Sequence, residues 1–184
     1  EDLFPKHFIQ YIKPPNIYFG PSKIFVEKAH KNLIKYIPSD EIYGIEDYCI
    51  PKGHKKNFKL DGLPKSLKNA IHSFLIATSI RDIRQAGIPF HSSMLVNPST
   101  FTDVQISVKS KIEDYIEILN QQFKYSSKDS DFISEIKEVW DADFEYLHKS
   151  HSWDFVLNKI NELIEDIKIV VVNNSKKSAG DRKS

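Results

Sequence analysis

Four segments between residues 63 and 164 repeat apolar side chains at intervals of three and four, and this periodicity constrains the fold more than any other feature. The apolar stripes run over residues 67–78, 101–123, 132–147 and 153–164. Such spacing places the apolar side chains on one face of an α-helix, which must then be buried against another element. The sequence therefore predicts four helices that pack through their apolar faces.

Two short segments with strand character bracket the last three helices. Residues 92–96 are largely apolar and are followed by Pro98, and residues 168–173 hold a continuous run of β-branched side chains. A run of this kind is typical of a strand buried on both faces of a parallel sheet. We therefore expect a helix-rich α/β fold with a small parallel sheet, whose two strands are joined by a right-handed helical crossover.

Proline and glycine are concentrated in the first part of the chain, where helical periodicity is weak. Because proline interrupts both helices and central strands, residues 1–62 are predicted to form an irregular connector with short strands. Residues 63–184 are predicted to form the helix-rich α/β domain. The chain opens on Glu1 rather than methionine, so we expect it to be a piece of a longer polypeptide.

Composition excludes several classes of protein. The 26 Lys and Arg residues nearly balance 25 Asp and Glu, and a net charge of +1 provides no global attraction to nucleic acid or anionic membrane. The single cysteine, Cys49, excludes a disulfide framework. With no membrane-spanning apolar run and no signal peptide, a cytoplasmic protein is expected. The scattered glycines form no phosphate-binding loop, so no cofactor is expected within this segment.

A local cluster of positive charge lies between residues 52 and 59. It consists of Lys52, Lys55, Lys56 and Lys59 around the aromatic ring of Phe58. Phosphate neutralisation combined with a stacking ring is typical of single-strand nucleic-acid binding. A solvated loop preceding a helix explains the same residues, and both interpretations stay open.

Two further groups of polar residues are candidates for ligand contact. Arg81 and Arg84 are one turn apart near the end of the first predicted helix, where they could hold a phosphate or offset the helix dipole. Ligands of open α/β sheets gather at the carboxyl ends of strands. That rule favours Asn97, Ser99, Thr100, Asp103, Asn173, Asn174 and Ser175, whereas His91, Ser92 and Ser93 stand at a strand entrance. Helix capping and turn formation are the alternative roles.

Two spacings suggest metal chemistry. His148 and His151 could face one metal ion on a helical turn, but as a polar pair at a helix end they also suit solvent, and no metal site is predicted there. Asp166 and Lys168 are offset by two residues at the predicted last strand, as in nucleases that orient a metal-bound phosphate. Ordinary polarity at a helix-to-strand junction explains this second pair equally well.

The order of several motifs resembles a known family, the "Z-one" domain of proteins described as restriction endonucleases. The resemblance rests on Leu63-Pro-Lys-Ser-Leu-Lys-Asn-Ala-Ile71, Phe74, Arg81, Arg84, His91-Ser-Ser-Met-Leu-Val96, Phe101, Gln105, Trp140, Phe144, Val170-Val-Val-Asn173 and Asp181-Arg182. Leu3-Phe-Pro5 and Tyr18-Phe-Gly20 resemble the segment that follows a helicase motif in the same proteins.

The resemblance implies a superfamily-two helicase-like ATPase that acts on DNA in bacterial restriction or phage defence. The segment would join two RecA-like motor lobes and form part of the second, coupling DNA binding to the motor without a complete active site. ATP and Mg²⁺ would serve the parent protein, which would act with methyltransferase and gyrase-type ATPase partners. Residues near the lobe cleft would be His91, Ser92, Ser93, Asn97, Asp103, Asn173 and Arg182.

Two alternatives remain open beside this interpretation. A free-standing helical module could bind a protein or a nucleic acid without catalysis. A metal-dependent endonuclease could use Asp166 and Lys168.

Overall fold

The computed structural model describes residues 15, 20–27, 33–39, 50–85, 88, 91–125 and 130–172, which fall into two compact units, Glu1–Tyr36 and Ile37–Ser184. In the first unit, a short π-helix spans Ser22–Val26. The second unit contains both the lysine-rich segment and the four-helix core. The lysines are therefore part of the same compact unit as the helices.

Among its described residues, the second unit contains four α-helices, in the places that the apolar periodicity predicted. They are α1 (Lys65–Arg84), α2 (Thr102–Tyr125), α3 (Asp131–Asp143) and α4 (Trp153–Ile164). A 3-10 turn, Glu145–Leu147, lies between α3 and α4. The start of α4 is capped by Ser152, whose hydroxyl accepts a hydrogen bond from the Phe155 N–H at 3.4 Å.

The core lies where the apolar stripes of the four helices meet. Both α1 and α2 pack against α3 and α4. The fully buried aliphatic side chains of these helices include Ile76, Val104, Leu119, Ile136, Val156 and Ile160. Burial of whole aliphatic side chains, at about 1.5–3 kcal/mol each, is the main force that holds such a bundle together.

Two contacts indicate that α1 and α2 run in the same direction. Near their beginnings, the N–H of Leu60, five residues before α1, donates to the hydroxyl of Ser107 in α2 at 3.0 Å. About two turns further along both helices, His72 of α1 contacts Tyr115 of α2. A chain that leaves α1 must therefore return about 30 Å, the length of a 20-residue helix, before α2 can begin.

This return explains why the prediction of a strand at residues 92–96 is wrong. Residues 91–98 are extended, but no backbone hydrogen bond pairs them with another described segment. Met94 and Val96 pack on the core while Leu95, between them, is 89% exposed. The alternation that suggests a strand arises because one side of an extended crossover rests on the bundle.

The second predicted strand, at residues 168–173, is also absent over the residues that are described. Ile167 and Ile169 pack on the core, whereas Val170 and Val172 are 65% and 81% exposed. This segment is thus an extended tail of which only one side is covered. The run of β-branched residues led to the wrong prediction of a strand buried on both faces. Asn173 lies outside the described residues.

The expected α/β fold, with its parallel sheet and partial RecA-like lobe, is therefore corrected to a helical domain. The described ranges contain helices and extended connections but no strand. None of the helices in these ranges combines the length and the apolar content that crossing a bilayer requires.

Candidate nucleic-acid interface

The lysine-rich segment, residues 52–59, forms a tight turn that we call the lysine loop. The N–H of His54 donates to the Pro51 carbonyl at 3.1 Å, and the N–H of Phe58 donates to the Lys55 carbonyl at 3.0 Å. Gly53 has a φ of 85°, a backbone conformation that side chains other than glycine rarely adopt. The turn leaves the lysine side chains of Lys52, Lys55, Lys56 and Lys59 exposed.

The imidazole of His54 attaches the lysine loop to the residues before α2. Its Nδ1–H donates to the Pro51 carbonyl at 3.0 Å, so in the neutral ring Nε2 accepts the hydroxyl proton of Ser99 at 2.7 Å. The Ser99 hydroxyl in turn accepts the N–H of Phe101 at 3.0 Å, just before α2 begins. One buried serine therefore joins the loop to the helix.

Two more contacts hold the loop against α2. The hydrogen bond from the Leu60 N–H to Ser107 fixes the end of the loop one turn into the helix. Lys56 Nζ lies 3.8 Å from a carboxylate oxygen of Asp103, but both side chains are more than half exposed. An exposed ion pair contributes little to stability, so the buried Ser99 contact is the main attachment.

Ser99 and His54 are hydrogen-bonded as a nucleophile and its general base are in some enzymes. Their surroundings, however, indicate a structural role. Ser99 is only 8% exposed, and its hydroxyl oxygen is engaged by a backbone N–H as well as by the imidazole. The His54 ring contacts those of Phe58 and Phe101, with ring centroids 5.9 Å and 5.8 Å away. These groups fix the loop in place.

Replacing Ser99 by alanine is expected to lower the free energy of unfolding by about 1–3 kcal/mol, because His54 Nε2 and the Phe101 N–H lose their shared partner. Urea denaturation followed by circular dichroism measures this change. Thr100→Ala, at the exposed neighbouring residue, is the matched control. Equal small losses in the two variants would contradict the assigned attachment.

The structure separates the two arginines from the lysine loop. Arg81 and Arg84 lie in the last turn of α1, whereas the loop directly precedes its first turn. The rise of an α-helix puts about 25 Å between these ends. The Arg81 carbonyl accepts the N–H of the capping residue Gln85 at 3.0 Å. Their position in the last turn suits offsetting the helix dipole, and any phosphate they bind would lie far from the lysine loop.

The residues predicted near a lobe cleft are spread along the crossover rather than gathered at one point. Asp103 contacts the lysine loop, as does Ser99, which was predicted only as a ligand candidate after a strand, and Asn97 is exposed shortly before them. His91 and Ser93 are exposed and Ser92 is half-buried at the start of the extended segment. The other two predicted residues, Asn173 and Arg182, lie outside the described residues.

The residues considered for metal chemistry either form hydrogen bonds within the protein or are exposed to solvent. His148 Nε2 donates to the Trp140 carbonyl at 3.2 Å, and His151 Nδ1 bonds to the Ser150 hydroxyl at 2.8 Å. Asp166 and Lys168 are both exposed after α4. Within the described ranges, no group of three or more His, Cys, Asp or Glu side chains is placed to hold a metal ion.

Sequence reasoning missed a buried polar pair between α1 and α2. His72 is fully buried, and its Nε2 lies 2.6 Å from the hydroxyl of Tyr115 in a hydrogen bond. Burial, and secondarily the charge of Lys68, lowers the pKa of His72 to about 4. Burial, with a smaller effect of Glu135, raises the pKa of Tyr115. A histidine within an apolar stripe is the only sequence signal for this pair.

These features define a helical domain that carries a fixed, positively charged loop at one end. Comparison with protein families matches residues 66–183, more than half of the chain, to the Z1 domain. The chain belongs to the Z1 domain family, as the resemblance to the "Z-one" domain indicated. No curated protein and no solved structure matches it.

Proposed function

We propose that this chain is a DNA-contacting, non-catalytic part of a larger protein that acts on DNA in bacterial restriction or phage defence. The observation that carries the proposal is the lysine loop, in which four exposed lysines project from a turn attached to α2. A fixed array of positive charges suits the phosphates of a nucleic-acid backbone, whose neutralisation releases counterions and drives binding.

The wider context of the proposal comes from the resemblance described above. The parent protein would be a helicase-like ATPase, and ATP and Mg²⁺ would bind outside this segment. The domain would transmit DNA contact at the lysine loop to the motor through the bundle, since the loop is joined by side chains to α2 and by sequence to α1. The proposal also includes methyltransferase and gyrase-type ATPase partners, with which the parent protein would act.

Reversing two charges in the loop tests the DNA contact. The variant Lys55→Glu/Lys56→Glu is expected to bind DNA about tenfold or more weakly, and the slope of log affinity against log salt concentration should fall by about 2. Fluorescence anisotropy over a series of salt concentrations measures both quantities.

A matched variant separates a local effect from a change in net charge. Lys137→Glu/Lys149→Glu introduces the same charge change on α3 and just beyond it, outside the loop. It should retain most of the affinity and the salt slope. Equal affinities and slopes for the loop variant and the unchanged protein would refute the proposed contact.

A second candidate function is a helical module that binds another protein. It is favoured by Leu95, Val170 and Val172, which are exposed apolar side chains on extended segments without backbone pairing to other described residues. A chain that binds no DNA under the conditions above would favour this second function over the first.

A further inference from the structure

We infer that the lysine loop recognises the phosphate backbone of duplex DNA, independently of sequence, rather than the stacked bases of a single strand. This inference rests on the proposed function and specifies the form of DNA that the same site binds. It departs from the sequence-based expectation, in which Phe58 supplies a ring on which a base stacks.

The rings of the loop are engaged within the protein. Phe58 is half-buried and packs against the hydrophobic core, and its backbone N–H closes the turn on Lys55. The His54 ring contacts the rings of both Phe58 and Phe101. The contact between Phe101 and His54 is T-shaped, with an interplanar angle of 86°, and Phe101 is 37% exposed. Only part of the Phe58 side chain is therefore open to a stacking base.

The groups that remain for nucleic acid are charges on a fixed frame. Lysine contacts phosphate as a point charge and does not read base edges bidentately as arginine does. The attachment of His54 to Ser99 and of Leu60 to Ser107 holds the backbone from which these lysines project. A regularly spaced, stiff array of phosphates matches such a frame better than a flexible strand does.

Charge density favours the duplex in the absence of stacking. A duplex carries one phosphate per about 1.7 Å of axis, and each phosphate neutralised contributes about 0.9 to the salt slope against about 0.7 for a single strand. Single-strand-binding proteins offset this difference with base stacking on aromatic rings. A site that offers four exposed lysines and rings already engaged in contacts within the protein should therefore bind the duplex more tightly.

The inference is tested with the full chain, a duplex of about 20 base pairs, a scrambled duplex and the corresponding single strand, by anisotropy at matched salt. We expect the duplex to bind at least about threefold more tightly than the single strand, and the scrambled duplex to bind within about twofold of the first. Tighter binding of the single strand, or a strong preference between the two duplexes, would overturn the inference.

Substitutions that remove the aromatic rings next to the lysines provide a second test. Phe58→Leu and Phe101→Leu, each confirmed as folded by circular dichroism, should leave the ratio of duplex to single-strand affinity within about twofold of its original value, and Asn57→Ala is the matched polar control in the same loop. A selective loss of single-strand affinity in either ring variant contradicts the inference while the DNA contact itself stands. If Lys55→Glu/Lys56→Glu changes neither the duplex nor the single-strand affinity, the proposed function is overturned as well. It is also overturned if the unchanged chain binds neither form of DNA.

Discussion

Replacing Trp140 by alanine is expected to lower the free energy of unfolding by about 3–5 kcal/mol, the largest stability change predicted for this protein. Trp140 is 2% exposed at the end of α3, and its ring stacks on that of His148 with centroids 4.8 Å apart. It also lies 6.1 Å from the ring of Phe144 and 6.2 Å from that of Trp153. Removal of the ring leaves a cavity where α3, the 3-10 turn and α4 meet.

The measurement is urea unfolding followed by circular dichroism at 222 nm, since the chain has only two tryptophans and fluorescence would change with the substitution. Trp140→Phe keeps part of the buried ring and should cost less than the alanine variant. Trp153→Ala, at a half-buried position, is the control for loss of a tryptophan as such. If Trp153→Ala proved as destabilising as Trp140→Ala, the central position assigned to Trp140 would be wrong.

Acidification from pH 6.5 to pH 4 is expected to remove about 3 kcal/mol of stability through His72. The pKa of His72 is lowered from 6.5 to about 4, chiefly by burial, so the folded state excludes a proton that the unfolded chain binds. Between these two values the unfolded state holds more protons, and stability therefore rises with pH. The contribution levels off about one pH unit above the unfolded-state pKa of 6.5, where the unfolded histidine has lost its proton as well.

Two variants of the buried pair isolate the effect. His72→Leu/Tyr115→Phe removes both polar groups and should abolish this part of the pH dependence. Tyr115→Phe alone should destabilise the protein by about 1–3 kcal/mol, because His72 Nε2 loses its partner. It should keep the pH dependence, because burial is the larger cause of the lowered pKa of His72. Unfolding free energies measured from pH 4 to pH 7.5 decide between these outcomes. An unchanged slope in the double variant would exclude His72 as the source.

The four helices could be predicted from sequence because their signal is local. Residues three and four apart share a helix face, so the stripes of α2 and α4 are visible without knowledge of what covers them. The strands could not be judged in this way. Residues 91–98 alternate in exposure as a strand does, but a strand is defined by a hydrogen-bonded neighbour that is distant in sequence, and the crossover between parallel helices has none among the described residues.

The sequence shows which residues make up the candidate interface but not how they are arranged in space. The lysines between residues 52 and 59 form a visible charge cluster, whereas the contacts that fix them span 45 residues from His54 to Ser99 and 47 residues from Leu60 to Ser107. The same long-range packing engages Phe58, which a short stretch of sequence presents as available for stacking. Both differences arise from tertiary contacts that local sequence does not encode.

The most direct test of the proposed interface is a map of backbone amide chemical-shift changes on titration of the ¹⁵N-labelled chain with duplex DNA. We expect the largest changes at residues 52–59 and at the beginning of α2, the elements joined by His54 and Ser99. Changes confined to the end of α1 around Arg81 and Arg84, or no changes with saturating duplex, would contradict a DNA contact at the lysine loop.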